Sequence, residues 1–139
     1  MKALLDTNSL ISALLVPPGP SGQIVRQWRA GQFELAVSSD TLVELIDVLH
    51  RRHILKKYPI SESDIESYLN YLRSFAEVAP SVLVLNVVPD DHKDDHVIAA
   101  AVETNCEYIV SGDRHLLDIH EYQGIKIVAP REFLAVLAG

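Results

Sequence analysis

The chain has 139 residues, 48% of them hydrophobic, and a formal net charge of −7. That length fits one domain with a sizeable core, and the acidic balance excludes a broad basic face for non-specific nucleic-acid binding, though not an enzyme that meets phosphate through bound cations. A single cysteine, Cys106, excludes an intrachain disulfide and a multi-cysteine zinc site, no apolar run reaches the roughly 18 residues of a membrane helix, and Asp6 interrupts the N-terminal apolar run too early for a secretory leader, which together point to a reducing cytoplasm.

Taken in order, residues 2–5 read as a buried strand that stops at Asp6. Residues 7–15 follow as a helix carrying Leu10, Ile11, Leu14 and Leu15. Pro17, Pro18, Gly19 and Pro20 break it, because proline fixes φ and removes a donor. Ser21 starts a second helix with Ile24, Val25 and Trp28 on one face, ended by Gly31, and residues 33–37 form a short strand. Ser38 or Ser39 caps a third helix, where Leu42, Leu45, Ile46 and Leu49 follow the i, i+3, i+4, i+7 rule. Arg51, Arg52, His53, Lys56 and Lys57 then read either as a local basic strip or as the solvated cationic end of that helix. Ser61 and Asp64 have the spacing of a capping box, with Asp in place of Glu or Gln, and open a helix running to about residue 77. Residues 82–88 are apolar and β-branched, a third strand ended by Pro89. Residues 90–95 form an acidic turn into a helix over 97–103. A fourth strand at 108–110 is closed by Ser111, Gly112 and Asp113, and Leu116 and Leu117 suggest a short helix. Residues 125–128 are a fifth strand, and Pro130 opens a terminal helix through Leu137. Strands separated by helices imply an α/β domain over 1–139 with a mostly parallel five-stranded sheet and right-handed crossovers.

In such sheets, sites form beyond the carboxyl ends of the strands. Asp6 follows strand one, the 90–95 cluster strand three and Asp113 strand four, so three acidic stations share one rim. A lone aspartate there is ordinarily a helix cap, and Asp6 and Asn8 both suit that role; three stations together are harder to explain so. Asp91 and Asp95 lie four apart on one helical face, and Asp95, three before Ile98, is the more rigidly held. Asp90 and Asp94 read as solvated. Two carboxylates about 4 Å apart repel by about 4 kcal/mol at an effective dielectric of about 20, so a proton or a cation must intervene. Mg²⁺ and Mn²⁺ favour such oxygen-rich pockets, and phosphodiester chemistry uses them. Glu44 stands apart. Helical phasing sets it opposite the leucine stripe, near Asp47 and Arg51, as a solvated glutamate unless that polar face looks over the rim.

The landmarks together resemble the PIN domain, a family of metal-dependent ribonucleases. Leu4-Leu5-Asp6-Thr7-Asn8 is similar to the family's opening strand and first acid, and Ser38-Ser39-Asp40-Thr41-Leu42-Val43-Glu44-Leu45 to its second-acid helix. The run from Asp91 through Asp95 to Ala100 resembles the third-acid segment, and the run from Ile109 through Ser111 and Asp113 to Leu117 resembles the strand and turn of the fourth acid. The spacing looks most similar to small VapC-like toxins of prokaryotic toxin–antitoxin pairs. The resemblance implies a three-layer αβα sandwich, a Mg²⁺ or Mn²⁺ cofactor, and Asp6, Glu44, Asp95 and Asp113 as the catalytic, metal-holding acids. It thus assigns Glu44 against its phasing. Thr7, Asn8, Asp91 and Ser111 would orient those acids or water. Also implied are endonucleolytic cleavage of RNA leaving a 5′-phosphate and a 3′-hydroxyl, a homodimer and a small antitoxin partner. His92 stands where this branch often has proline, and His96 follows Asp95 directly.

Rival readings remain open. His92-Lys93-Asp94-Asp95-His96 has the H-x-x-[acid]-H shape of an inverted zincin, but Asp is a methylene shorter than the usual base and no third ligand segment follows. An Asp6-centred phosphotransferase would need an acid at position 8, where Asn8 stands. A catalytically silent PIN-like interaction module would keep the fold without cutting. No base-reading code is visible among the lysines and arginines, since RNA specificity rests on shape and splayed bases.

Overall fold

Successive side chains of β1 (Lys2–Leu5) point to opposite faces of the sheet, and both faces are apolar, so the chain must cover two of them. Ala3 and Leu5 join Leu35, Val37 and Val110 in one core, while Leu4 joins Ala36, Ile109 and Ile127 in the other. The computed structural model describes residues 1–80, 83 and 94–139. In chain order the elements after β1 are α1 (Thr7–Leu15), α2 (Pro20–Arg29), β2 (Glu34–Ser38), α3 (Ser39–Leu49), α4 (Arg52–Lys57) and α5 (Glu62–Phe75). Then come β3 (Glu77–Ala79), α6 (Asp95–Glu103), β4 (Tyr108–Val110), α7 (Arg114–Leu117), β5 (Glu121–Tyr122), β6 (Ile125–Val128) and α8 (Pro130–Ala138). Leu10, Ile24, Trp28, Leu45, Leu72 and Phe133 cover the first face from α1, α2, α3, α5 and α8. Val97, Ile98, Ala100 and Ala101 of α6 and Leu116 of α7 cover the second. The result is a three-layer αβα sandwich.

The strand order is β3-β2-β1-β4-β6-β5, parallel throughout except for the β5–β6 pair. Among the described residues the sheet has six strands rather than the five expected, and two of the six, β3 and β5, were not expected. β5 is joined to β6 across Gln123 (φ 48°) and Gly124 (φ 84°), two consecutive positive-φ residues that suit a tight antiparallel hairpin. β3 begins where the helix opened by Ser61 was expected to end. Apart from Leu83, the strand expected over residues 82–88 lies outside the described residues, as do Asp90, Asp91, His92 and Lys93. Arg52 to Lys57 form α4, a helix of their own, so the basic residues are not the end of α3, which stops at Leu49.

Two local details bear on stability. The Ser61–Asp64 capping box forms in full: Ser61 Oγ accepts from the Asp64 N–H at 3.1 Å, and Asp64 Oδ2 accepts from the Ser61 N–H at 2.8 Å. Ser61→Ala is expected to cost about 1 kcal/mol, read as a lower urea midpoint at unchanged slope, whereas Ser61→Thr keeps most of it. Cys106 is buried against the Thr104 hydroxyl at 3.2 Å, and burial pushes its thiol up to about 11. Among the described residues no helix is long and apolar enough to cross a membrane.

Candidate active site

From β1 the chain moves outward to β2 and β3, then returns to lay β4 on the other side of β1. The β1–β4 junction is therefore a topological switch point, where the connections diverge and leave a crevice past the carboxyl ends. Asp6 is the first residue past β1 and Ser111 the first past β4. The Asp6 N–H still donates to Val110 O at 3.2 Å, so the residue leaves the sheet with its backbone anchored. Its side chain has two duties. Oδ1 accepts from the Ser9 N–H at 2.9 Å, capping α1, and Oδ2 accepts from the Ser111 hydroxyl. Ser111 Oγ in turn accepts from the Asp113 N–H at 2.9 Å, and Asp113 Oδ1 from the His115 N–H at 2.8 Å. One buried hydroxyl thus fixes two acids from different strands.

A hollow of about 130 Å³ opens above these groups, lined by Asp6, Thr7, Asn8, Glu44, Asp94, His96, Val97 and Asp113. Asp6, Glu44 and Asp113, expected from the sequence, are brought together here, with Thr7 and Asn8 beside them. Ser111 lies beneath. Asp95 is buried in the first turn of α6 and is not among the lining residues; its neighbour Asp94 is, although the sequence placed Asp94 toward solvent. Asp91 lies outside the described residues.

Glu44 reaches the hollow because α3 is rotated from the expected phase. Its buried residues are Thr41, Leu42, Leu45 and Leu49, while Ile46 is 39% exposed. Glu44 lies one turn beyond Thr41, on the flank facing the rim. The signal was present in Ser38 and Thr41. Both are buried, with Ser38 Oγ accepting from the Thr41 N–H at 3.0 Å, and Thr7 Oγ1 meets Thr41 Oγ1 at 3.2 Å. Hydroxyls paired with one another can be buried like apolar groups, which a hydrophobic stripe does not register.

The donor set fits a divalent cation. Four carboxylates share the hollow, and Asp94, Asp113 and His115 offer ligand atoms within 4.8 Å of one another. Two carboxylate charges at such a distance repel by roughly 3 kcal/mol at an effective dielectric of about 20, a cost that a bound cation turns into attraction. Oxygen donors of this kind suit Mg²⁺ or Mn²⁺ over softer metals. The alternative zinc reading loses support at one end, since both ring nitrogens of His96 face protein groups: Ser38 Oγ at 3.1 Å and Glu44 Oε1 at 3.3 Å.

Comparison with known proteins agrees with this architecture. Among solved structures, the fold is similar to PAE2754 from Pyrobaculum aerophilum, with a TM-score of 0.67 and 19% identity over 99% of this chain and 90% of that one. It is also similar to VapBC2 from Rickettsia felis bound to a DNA fragment from their promoter, with a TM-score of 0.61 and 16% identity over 93% of this chain and 98% of that one. A comparison with curated protein sequences found no match. The family model described as PIN domain matches residues 2–115, which include both strands and both turns that form the switch point. This chain belongs to the PIN-domain family.

Proposed function

We propose that the protein is a Mg²⁺- or Mn²⁺-dependent endoribonuclease, acting in the cytoplasm as the toxin of a toxin–antitoxin pair. PIN domains are in general nucleases, and that membership supports hydrolysis of nucleic acid. The observation that carries the reading is the gathering of Asp6, Glu44 and Asp113 around one hollow at the switch point. In this reading Asp6, Glu44, Asp95 and Asp113 hold the ion, directly or through water, with Asp95 assigned by its motif. Thr7, Asn8, Asp91 and Ser111 support them. When bound, the cation supplies positive charge against the phosphodiester and its transition state.

The chain's own residues do the rest. Ser111 holds Asp6 Oδ2 by its hydroxyl, so that carboxylate is oriented before substrate arrives. The Ser9 N–H holds Oδ1, and the α1 N-terminus stabilises the negative charge of Asp6. Without a cation the same carboxylates repel a phosphate backbone, which supports a reading in which cleavage depends on metal. The likeness to a VapBC complex supports a small protein partner, and a homodimer is part of the proposal.

The test is incubation of purified protein with a long RNA in Mn²⁺, Mg²⁺ or EDTA, with both product termini mapped. Internal cuts with 5′-phosphate and 3′-hydroxyl ends, abolished by EDTA, are expected. RNA that stays intact in both metals would overturn the reading.

A further inference from the structure

His96, the second residue of α6, follows Asp95 in the third-acid segment and lines the hollow beside Glu44. Its ring is largely covered, with the side chain 23% exposed. Nε2 lies 3.3 Å from Glu44 Oε1, and Nδ1 lies 3.1 Å from Ser38 Oγ. Asp40 Oδ2, at 4.0 Å from Nδ1, is beyond hydrogen-bond length and does not compete.

Glu44 needs such a partner. Its side chain is 50% exposed and projects from the outer flank of a helix, where three rotatable bonds leave it many rotamers. Asp6 and Asp113 are held by backbone N–H groups and Ser111, but Glu44 comes from a different layer and has no comparable cap. A carboxylate only accepts, so Nε2 must carry the proton that faces Glu44. Ser38 Oγ, 3.1 Å from Nδ1, fixes the ring at its other nitrogen. Ser38 Oγ donates to Thr41 Oγ1 at 2.9 Å, and Thr7 Oγ1 donates to Thr41 Oγ1 at 3.2 Å. A continuous chain of hydrogen bonds then runs from the residue beside Asp6, through the ends of β2 and α3, to Glu44. Ser38 and Thr41 are fully buried, so water does not compete for it there.

We propose that His96 is a positioning residue: its Nε2–H, fixed by Ser38 at the other nitrogen, aims the Glu44 carboxylate into the hollow and so sets the affinity for a divalent ion. This rests on the metal-dependent reading of the site.

The amide side chains separate aiming from space-filling. His96→Gln can place an N–H where Nε2 lies, whereas His96→Asn places one near Nδ1 and leaves Glu44 unheld. Mn²⁺ binding to the full chain, followed by the loss of free-ion paramagnetic resonance signal, is expected to weaken about tenfold in His96→Ala and His96→Asn and to recover within about threefold of wild type in His96→Gln. Melting in EDTA should be alike in all four proteins. A second measurement needs no metal: long-range ¹H–¹⁵N spectra of the imidazole should show Nε2 carrying a proton. Undiminished binding in the Ala or Asn variants, no recovery in Gln, a parallel loss of melting temperature, or an Nε2 without a proton would each overturn the role of His96. Wild-type protein that takes up no Mn²⁺ would overturn the metal reading itself.

Discussion

Asp6→Asn is expected to reduce metal-dependent RNA cleavage by about a hundredfold or more while leaving the fold nearly untouched. The separation of the two effects follows from the two duties of the side chain. Asparagine caps helices as well as aspartate does, so its Oδ1 can keep the Ser9 N–H. Its amide replaces Oδ2, and the Ser111 oxygen can accept where its hydroxyl formerly donated. One negative charge leaves a site crowded with carboxylates, which offsets the weaker contact. Melting in EDTA should therefore lie within about 1 kcal/mol of wild type, and it can rise. Asp6→Ala is the contrast. It removes the cap and strands the buried Ser111 hydroxyl, at a cost of about 2 kcal/mol or more. Cleavage rates in Mn²⁺ and denaturation in EDTA, measured on both variants, check the pair. An Asp6→Asn protein with full metal-dependent activity would remove Asp6 from the site.

Phe133→Ala is expected to have the largest effect on stability. Phe133 is completely buried, meets Phe33 edge-on at 5.1 Å between ring centroids and lies 5.5 Å from Tyr108. It belongs to α8, beyond the residues matched by the family model, yet it closes the first core between β4 and the residue that leads into β2. Truncation should cost about 3–5 kcal/mol, through lost burial and the cavity left behind. Phe133→Leu keeps most of the volume and should cost about 1.5 kcal/mol or less. Urea unfolding of both variants measures the difference. A near-neutral Phe133→Ala would mean that α8 is dispensable to the core.

How far the sequence could be read depended on whether a residue's role was written in its immediate neighbours. β1 and Asp6 were legible because an apolar run ends abruptly at a carboxylate. The Ser61 cap was legible because both of its partners lie within four residues. Pro130 and Gly31 marked a helix start and a helix end by backbone geometry alone. Glu44 was legible only through the motif around it. Periodicity counted Ile46 as inward and ignored Thr41, so the helix was drawn a fraction of a turn away from its true face. What corrects that phase is contact of Thr41 with Thr7 and of Ser38 with His96, across 34 and 58 residues, and no local pattern records such distances. Asp94 was misplaced for the same reason: its surroundings come from Asp113 and Glu44, which are remote in sequence. β5 is two residues long, too short for alternation to register, and its turn uses Gln123 where asparagine or aspartate would have announced it.

The surroundings of Cys106 have a consequence for how the molecule meets oxidants. With its thiol pushed up by burial to about 11, Cys106 carries little thiolate at neutral pH, and that form is the nucleophile. Peroxide, disulfide exchange and alkylating reagents thus find no ready target in the folded chain's one cysteine. Swings in cellular redox poise should pass it by.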